Sequence, residues 1–313
     1  MAATVHSTAI VDTKARLAAG VEVGPYAIVG ADVVIEAGTY VAPHACLMGP
    51  LFVGEDGWIG PYASLGLPPQ LKGDTAGPFG ETRIGARCVF REHSQVHRAM
   101  HADRETVVGD DAYVMAGAHI AHDCVLGVHV VLCNQALVAG HVVMGDRTFV
   151  SGNSVIHQFS RIGELGMVGG LTAVNRDVPP FGMVVGMRPP VLEGLNTVGL
   201  RRAGIPSAAR RELRSAYKLL FRTSLPLEER LQALESAKLQ SAEVGRLLEF
   251  MRSSERGVIG FGGSAVSRRR EQAEVDQEPI HILYPVAKNG RSHLIRRPAP
   301  SEPWFARKRT DTG

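Results

Sequence analysis

Residues 108–144 read VGDDAYVMAGAHIAHDCVLGVHVVLCNQALVAGHVVM, and every sixth position in them is aliphatic: Val108, Val114, Ile120, Leu126, Leu132, Val138 and Met144. The series continues unbroken through Val150, Ile156, Ile162 and Val168 to Val174, and an earlier run from Val5 to Leu65 keeps the same spacing. A period of six fits neither a helix nor a strand alternation running on without turns. It fits hexapeptide β-helix repeats, in which each hexad forms one short side of a coil. The aliphatic residue points inward. The position after it is often small (Gly109, Gly127, Gly145) and is expected to let the backbone turn the corner. Three sides make one coil, and coils stack at roughly 4.8 Å, the ordinary strand spacing. Residues three hexads apart therefore become stacked neighbours, and chemistry can be read from differences in residue number.

Composition agrees with a narrow solenoid. The 313 residues include 35 glycines, only 6% are aromatic, and the charge of +3 gives no global reason to expect nucleic acid. Cys46, Cys88, Cys124 and Cys133 show no paired metal spacing, so no metal or other cofactor is called for and a reducing cytoplasm is the expected setting. The first residues lack the basic start and apolar run of a signal peptide, and no stretch is apolar enough for an integral membrane segment.

The chain reads in three parts. Residues 1–190 form a β-helix interrupted by two projecting loops, 67–83 (Pro- and Gly-rich) and 98–107 (out of phase). Excursions from a regular repeat usually lie on the binding face. Residues 191–257 read as helical. Leu213, Ala216, Tyr217, Leu220 and Phe221 make an apolar stripe in a helix from Ser207 onward, and further helices are expected over 227–237 and 242–252. Residues 258–313 are basic and Pro/Gly-containing, and read as largely disordered, with room for a small docking element around His281–Val286.

Eight of the twelve histidines fall between His93 and His157. The text AHIAHDC carries His119, His122 and Asp123, and three hexads after His122 comes Gly140, followed by His141. A general base beside an outward backbone N–H is the minimal kit for acyl transfer. The base takes a proton from the acceptor, and the N–H steadies the tetrahedral oxyanion. Asp123 is placed to orient the imidazole, as a triad carboxylate does. Lone histidines such as His101 and His129 read as solvated turn residues. A zinc site of three histidines with one open position is the rival for the cluster, although the spacing here differs from that of β-helix zinc enzymes.

The run AGAHIAHDCVLG, then LVAGHVVMGD, SVIHQF, MVGG and DVPPF, resembles the UDP-N-acetylglucosamine O-acyltransferases of lipid A biosynthesis, and the likeness continues through NTVGLRRAGI and RSAYKLLFR. The resemblance implies a homotrimer of left-handed parallel β-helices with a small α-helical C-terminal domain and active sites in the clefts between subunits. It implies transfer of a 3-hydroxyacyl group from acyl carrier protein to the 3-position of UDP-N-acetylglucosamine. Matched residue by residue, His122 would be the base, Asp123 its partner and Gly140 the oxyanion donor. Lys72, His97, His119, His141, His157 and Gln158 would line the substrate site, with Asn196 and Arg202 on the uridine diphosphate side. Gly170 would set acyl-chain length. On the helix from Ser207, Arg214, Lys218 and Arg222 recur every fourth position and form a basic line suited to docking an acidic carrier. Three departures stand out. The loop reads QLK where the family usually has QDLK, Arg202 is followed by Ala203, and the tail has no counterpart. They leave a UDP-3-amino sugar as an alternative acceptor, and an acyl- or acetyl-coenzyme A donor as an alternative class.

Overall fold

The computed structural model describes residues 2–72 and 77–261. From Thr4 onward, strands of two to five residues are dealt in turn to three sheets of eleven, nine and eight strands. Neighbours within a sheet are parallel except for the last pair of the eleven-stranded sheet, with Thr4 beside Glu22, Ile10 beside Ile28 and Arg16 beside Val34. The three sheets are the walls of a prism. Its interior is a single column of hexad residues: Ile120, Leu126, Leu132, Val138 and Val150 are all buried. Each such side chain contributes about 1.5–3 kcal/mol on burial, so the repeat holds itself together with no wide core.

The corners are built differently from the expectation that the small residue after each aliphatic makes the turn. The left-handed backbone sits instead at the third position after the aliphatic, and most of its occupants are not glycine: Tyr62, Asp111, Asp123, His129, Gln135, His141 and Phe159 all have φ between 53° and 66°. The small residue has another job. A Cβ on Gly109 would lie 2.6 Å from the carbonyl oxygen of Gly127 in the next coil. Stacking at strand spacing leaves no room for a side chain there. Along one edge the left-handed residues support one another, since the rings of Tyr26, His44, Tyr62 and His93 stack with centroids 4.9–5.2 Å apart.

Both excursions leave the prism at one edge, between the nine-stranded and eight-stranded sheets. The first connects Ser64–Leu67 to Glu81–Ile84 and the second connects Gln95–His97 to Glu105–Val108. The turn carrying His122 and Asp123 lies on the same edge, in the next coil up.

The last strand, Val191–Leu195, runs antiparallel to Gly182–Val185, and four helices follow: α1 (Thr197–Arg202), α2 (Ser207–Phe221), α3 (Leu227–Ser236) and α4 (Ala242–Arg252). The stripe on α2 is buried at Leu213, Ala216, Tyr217 and Leu220, and the Tyr217 hydroxyl donates to the Pro180 carbonyl oxygen. Asp177 ties the chain's return to the solenoid. Its carboxylate accepts from the Arg161 N–H and the Ser254 hydroxyl, both at 2.8 Å. The first residues of the 258–313 segment pack against the end of the solenoid. Ile259 is buried and its N–H donates to the Asp177 carbonyl, while Leu192 N–H donates to Gly260. The remainder of that segment, including 281–286, lies outside the described residues. No described helix is long and apolar enough to cross a membrane.

Candidate active site

His119 is on a strand of the nine-stranded sheet, with Leu137 and then Val155 above it in register. The chain then turns through 121–124, and the turns 139–142 and 157–160 repeat that corner in the next two coils. Stacking sets the site. The His122 ring lies against Gly140, so closely that a Cβ there would overlap it, with Nε2 at 2.7 Å. His141 N–H donates to the His122 carbonyl at 3.1 Å and Phe159 N–H to Gly140 at 3.2 Å. The imidazoles of His122 and His141 meet edge to face at 5.0 Å, and Phe159 stacks on His141 at 4.5 Å.

His122 Nδ1 is 2.7 Å from Asp123 Oδ2. A carboxylate only accepts, so Nδ1 carries a proton, and in the neutral imidazole the lone pair is on Nε2. The Asp123 side chain is 4% exposed and that of His122 17%. Burial pushes the Asp123 carboxyl up, but the bonds from His122 and the Met100 N–H, with the nearby charges of His141 and His122, outweigh it and hold the group below its ordinary value. It is therefore an anion at neutral pH. Among the described residues, no protein group accepts from the Gly140 N–H, which leaves it free for an incoming oxygen.

A cavity of about 290 Å³ opens in front of this corner, lined by Gln70, His97, His119, Leu137, Gly140 and Ile156 among others. His97 Nδ1 donates to the Pro68 carbonyl at 2.7 Å, and its ring meets His119 edge to face at 5.0 Å. Burial lowers the His97 pKa against the pull of that bond. Burial, followed by the charges of His97 and His122, lowers His119 to about 4. Burial also lowers His141, with Asp123 opposing. These walls are uncharged at neutral pH but rich in lone pairs. The ring nitrogens of His122 and His141 and a carboxylate oxygen of Asp123 lie within 4.8 Å of one another.

One corner thus brings together His122, Asp123, Gly140 and His141, with His97 and His119 on the cavity wall. His157 and Gln158 occupy the corner one coil higher, and His157 Nδ1 is 3.0 Å from the Gln158 carbonyl. Lys72 is the last described residue before 77 in the first excursion. Gly170 is on a different edge, between the eleven- and nine-stranded sheets, where a Cβ would make only an ordinary 3.7 Å contact with the Gly152 carbonyl. Asn196 caps α1, its Oδ1 accepting from Gly199 N–H and its Nδ2 donating to the Leu165 carbonyl, both at 2.9 Å. Arg202 is exposed at the end of that helix. Arg214 and Lys218 are exposed on α2, while Arg222 lies over the Phe261 ring at 4.8 Å. Sequence reasoning missed Thr106 and the Met100 N–H, both bonded to Asp123, and Pro68, which sets the His97 tautomer. A backbone group leaves no mark in the sequence.

An imidazole held by a carboxylate and packed against a backbone N–H at the edge of a cavity is an arrangement suited to acyl transfer. Residues 177–259 match the family model described as Udp N-acetylglucosamine O-acyltransferase, domain 2. The acyl-[acyl-carrier-protein]--UDP-N-acetylglucosamine O-acyltransferase of Herminiimonas arsenicoxydans is 43% identical over 260 residues, 82% of this chain and 98% of that one. This chain belongs to that family. The solved UDP-N-acetylglucosamine acyltransferase of Francisella novicida aligns with TM-score 0.80 at 28% identity, over 84% of this chain and 96% of that one. The Acinetobacter baumannii structure aligns with TM-score 0.76 at 36% identity, over 82% and 99%. The acyltransferase fold, a left-handed parallel β-helix followed by helices, is therefore that of this chain.

Proposed function

We propose that this acyltransferase moves a 3-hydroxyacyl group from acyl carrier protein to the 3-hydroxyl of UDP-N-acetylglucosamine, the first step of lipid A biosynthesis, with His122 as the base. The observation that carries this is the His122–Asp123 pair at 2.7 Å with its free Nε2 beside Gly140. His122 Nε2 takes the sugar hydroxyl proton as the oxygen attacks the thioester carbonyl. The Gly140 N–H holds the oxyanion. The tetrahedral adduct collapses with loss of the C–S bond, and the proton on His122 passes to the departing thiolate. His97, His119 and His141 border the sugar, joined by Lys72, His157 and Gln158. Arg202, and Asn196 through its cap of α1, lie on the uridine diphosphate side, and Gly170 leaves room for the end of the acyl chain. A homotrimer completes the cleft. The four cysteines are free thiols, in keeping with a cytoplasmic setting.

Gln70 on the cavity wall, where the family commonly has an acid, favours a second reading in which the acceptor is a UDP-3-amino sugar and the product an amide. Mass spectrometry of products from a panel of acyl carrier protein thioesters and UDP-sugars separates the two. A 3-O-acyl UDP-N-acetylglucosamine is expected. An amide formed only with the amino sugar would move the assignment to the second reading, and absence of acyl transfer to any UDP-sugar would overturn both.

A further inference from the structure

The corner that carries Asp123 is wired differently from the corners around it. In the neighbouring corners the left-handed residue donates its N–H to a backbone carbonyl in the coil below: His129 to Asp110, Gln135 to Ala116, His141 to His122, Asn153 to Asn134 and Phe159 to Gly140, at 2.8–3.2 Å; near the N-terminus Tyr26 donates to the Thr8 hydroxyl at 3.1 Å. Beneath Asp123 the backbone rung is replaced by groups from the second excursion and from the strand it leads into, Glu105–Val108. The Asp123 N–H donates to the Thr106 hydroxyl at 2.8 Å, and Asp123 Oδ2 accepts from the Met100 N–H at 3.1 Å as well as from His122. Thr106 is fully buried. The excursion is itself anchored: the Arg98 guanidinium donates to the Gly49 carbonyl at 2.8 Å and lies over the Phe79 ring, and Ala99 is buried and accepts from the Gly80 N–H at 3.0 Å.

We propose that residues 98–107 are the positioning element of the base, with Thr106 fixing the backbone of Asp123 and the Met100 N–H fixing its carboxylate, so that His122 Nε2 is aimed at the acceptor. Neither group touches substrate; both act through Asp123. A charge-assisted bond to a carboxylate is strong and directional, and supporting bonds of this kind decide whether a reacting group sits within a fraction of an ångström of its working place. The inference rests on His122 being the base.

Thr106→Val keeps the shape and removes the acceptor, whereas Thr106→Ser keeps the hydroxyl. Thr106→Val should lower kcat roughly 10–100-fold, the scale of a displacement of about 1 Å, with KM little changed and Thr106→Ser restoring most of the loss. Met100→Pro removes the N–H, and Met100→Ala is its control. A carboxylate that loses a donor binds protons more readily and also raises the basicity of its partner imidazole. The acid limb of the kcat–pH profile should therefore move to higher pH in Met100→Pro and stay in place in Met100→Ala. The other titratable and charged groups near this pair are His97, His101, Arg104, His119 and His141, and all are unchanged in these variants. If Met100→Pro does not fold, the Thr106 pair decides alone. A folded Thr106→Val enzyme with wild-type kcat and an unmoved acid limb would overturn the proposal. His122→Ala, expected to lose roughly 10²–10⁴ in turnover, is run alongside. If it is near normal, the base assignment fails; if it is inactive while Thr106→Val is normal, only the positioning role fails.

Discussion

At the scale of residues, the site depends on one missing side chain. Gly140 is a place where the His122 ring, and not the backbone, needs the room. Gly140→Ala should push the ring off Asp123 and lower kcat by about 100-fold, the usual consequence of a 1 Å misplacement, while thermal denaturation stays close to wild type. Unchanged kinetics would mean that Gly140 does not set the ring. The buried histidines give a second expectation. His119 has its pKa lowered to about 4, by burial first and then by the charges of His97 and His122, against about 6.5 in an unfolded chain. The unfolded state then binds the proton first, so this contribution to stability is complete above pH 6.5 and is lost as the pH falls toward 4. Urea unfolding at pH 7 and pH 5 should show a smaller acid loss in His119→Gln than in wild type, and equal losses would contradict the burial argument. His122, Asp123 and Gly140 were legible in the sequence because a fixed coil length turns numbering into adjacency. Met100 was not, because the excursion breaks that arithmetic where it sits, and Thr106 was not, because the arithmetic sets it beside Cys124 while its hydroxyl accepts from the Asp123 N–H.

At the scale of elements, the period of six was enough to read the prism, and α2 was legible from its apolar stripe, with α3 and α4 expected after it. The corner geometry was not. The left-handed position is filled by Tyr, Asp, His, Gln and Phe in turn, so no residue type marks it, while the glycines that do recur answer to stacking. Gly109→Val tests this. It should destabilise the fold by about 1–3 kcal/mol, the cost of overpacking, because its side chain meets the Gly127 backbone. A thermal midpoint equal to wild type would return the glycines to a turning role. On α2, Arg214 and Lys218 stand exposed, and Arg222 is partly committed to Phe261. The first two are therefore the pair to reverse. Arg214→Glu with Lys218→Glu should raise the KM for the carrier-bound donor, with the wild-type KM rising and the variant's changing little as salt is added. An unchanged donor KM would leave these residues as ordinary surface.

At the scale of the whole molecule, the site looks half-walled. Leu137, Val155 and Phe159 are 42–44% exposed around the cavity, and Leu171, across the same sheet, is 65% exposed. Large apolar side chains gathered on one face mark a surface that another body covers. Among the described residues the first excursion reaches the cavity at Gln70, while Leu137, Val155 and Leu171 stay exposed on that face. A second copy can cover it, and each copy offers the same face, so the pairing of a donor face with an acceptor edge repeats until it closes in a ring. A ring of three, as the family resemblance implies, should scatter light as three times the 33.6 kDa chain. Replacing Leu137 and Val155 with Asp should dissociate it and abolish turnover together, with the monomer retaining its β-rich circular dichroism. An active monomer, or a trimer indifferent to both substitutions, would show that the exposed face is not the interface and that one chain builds the whole site.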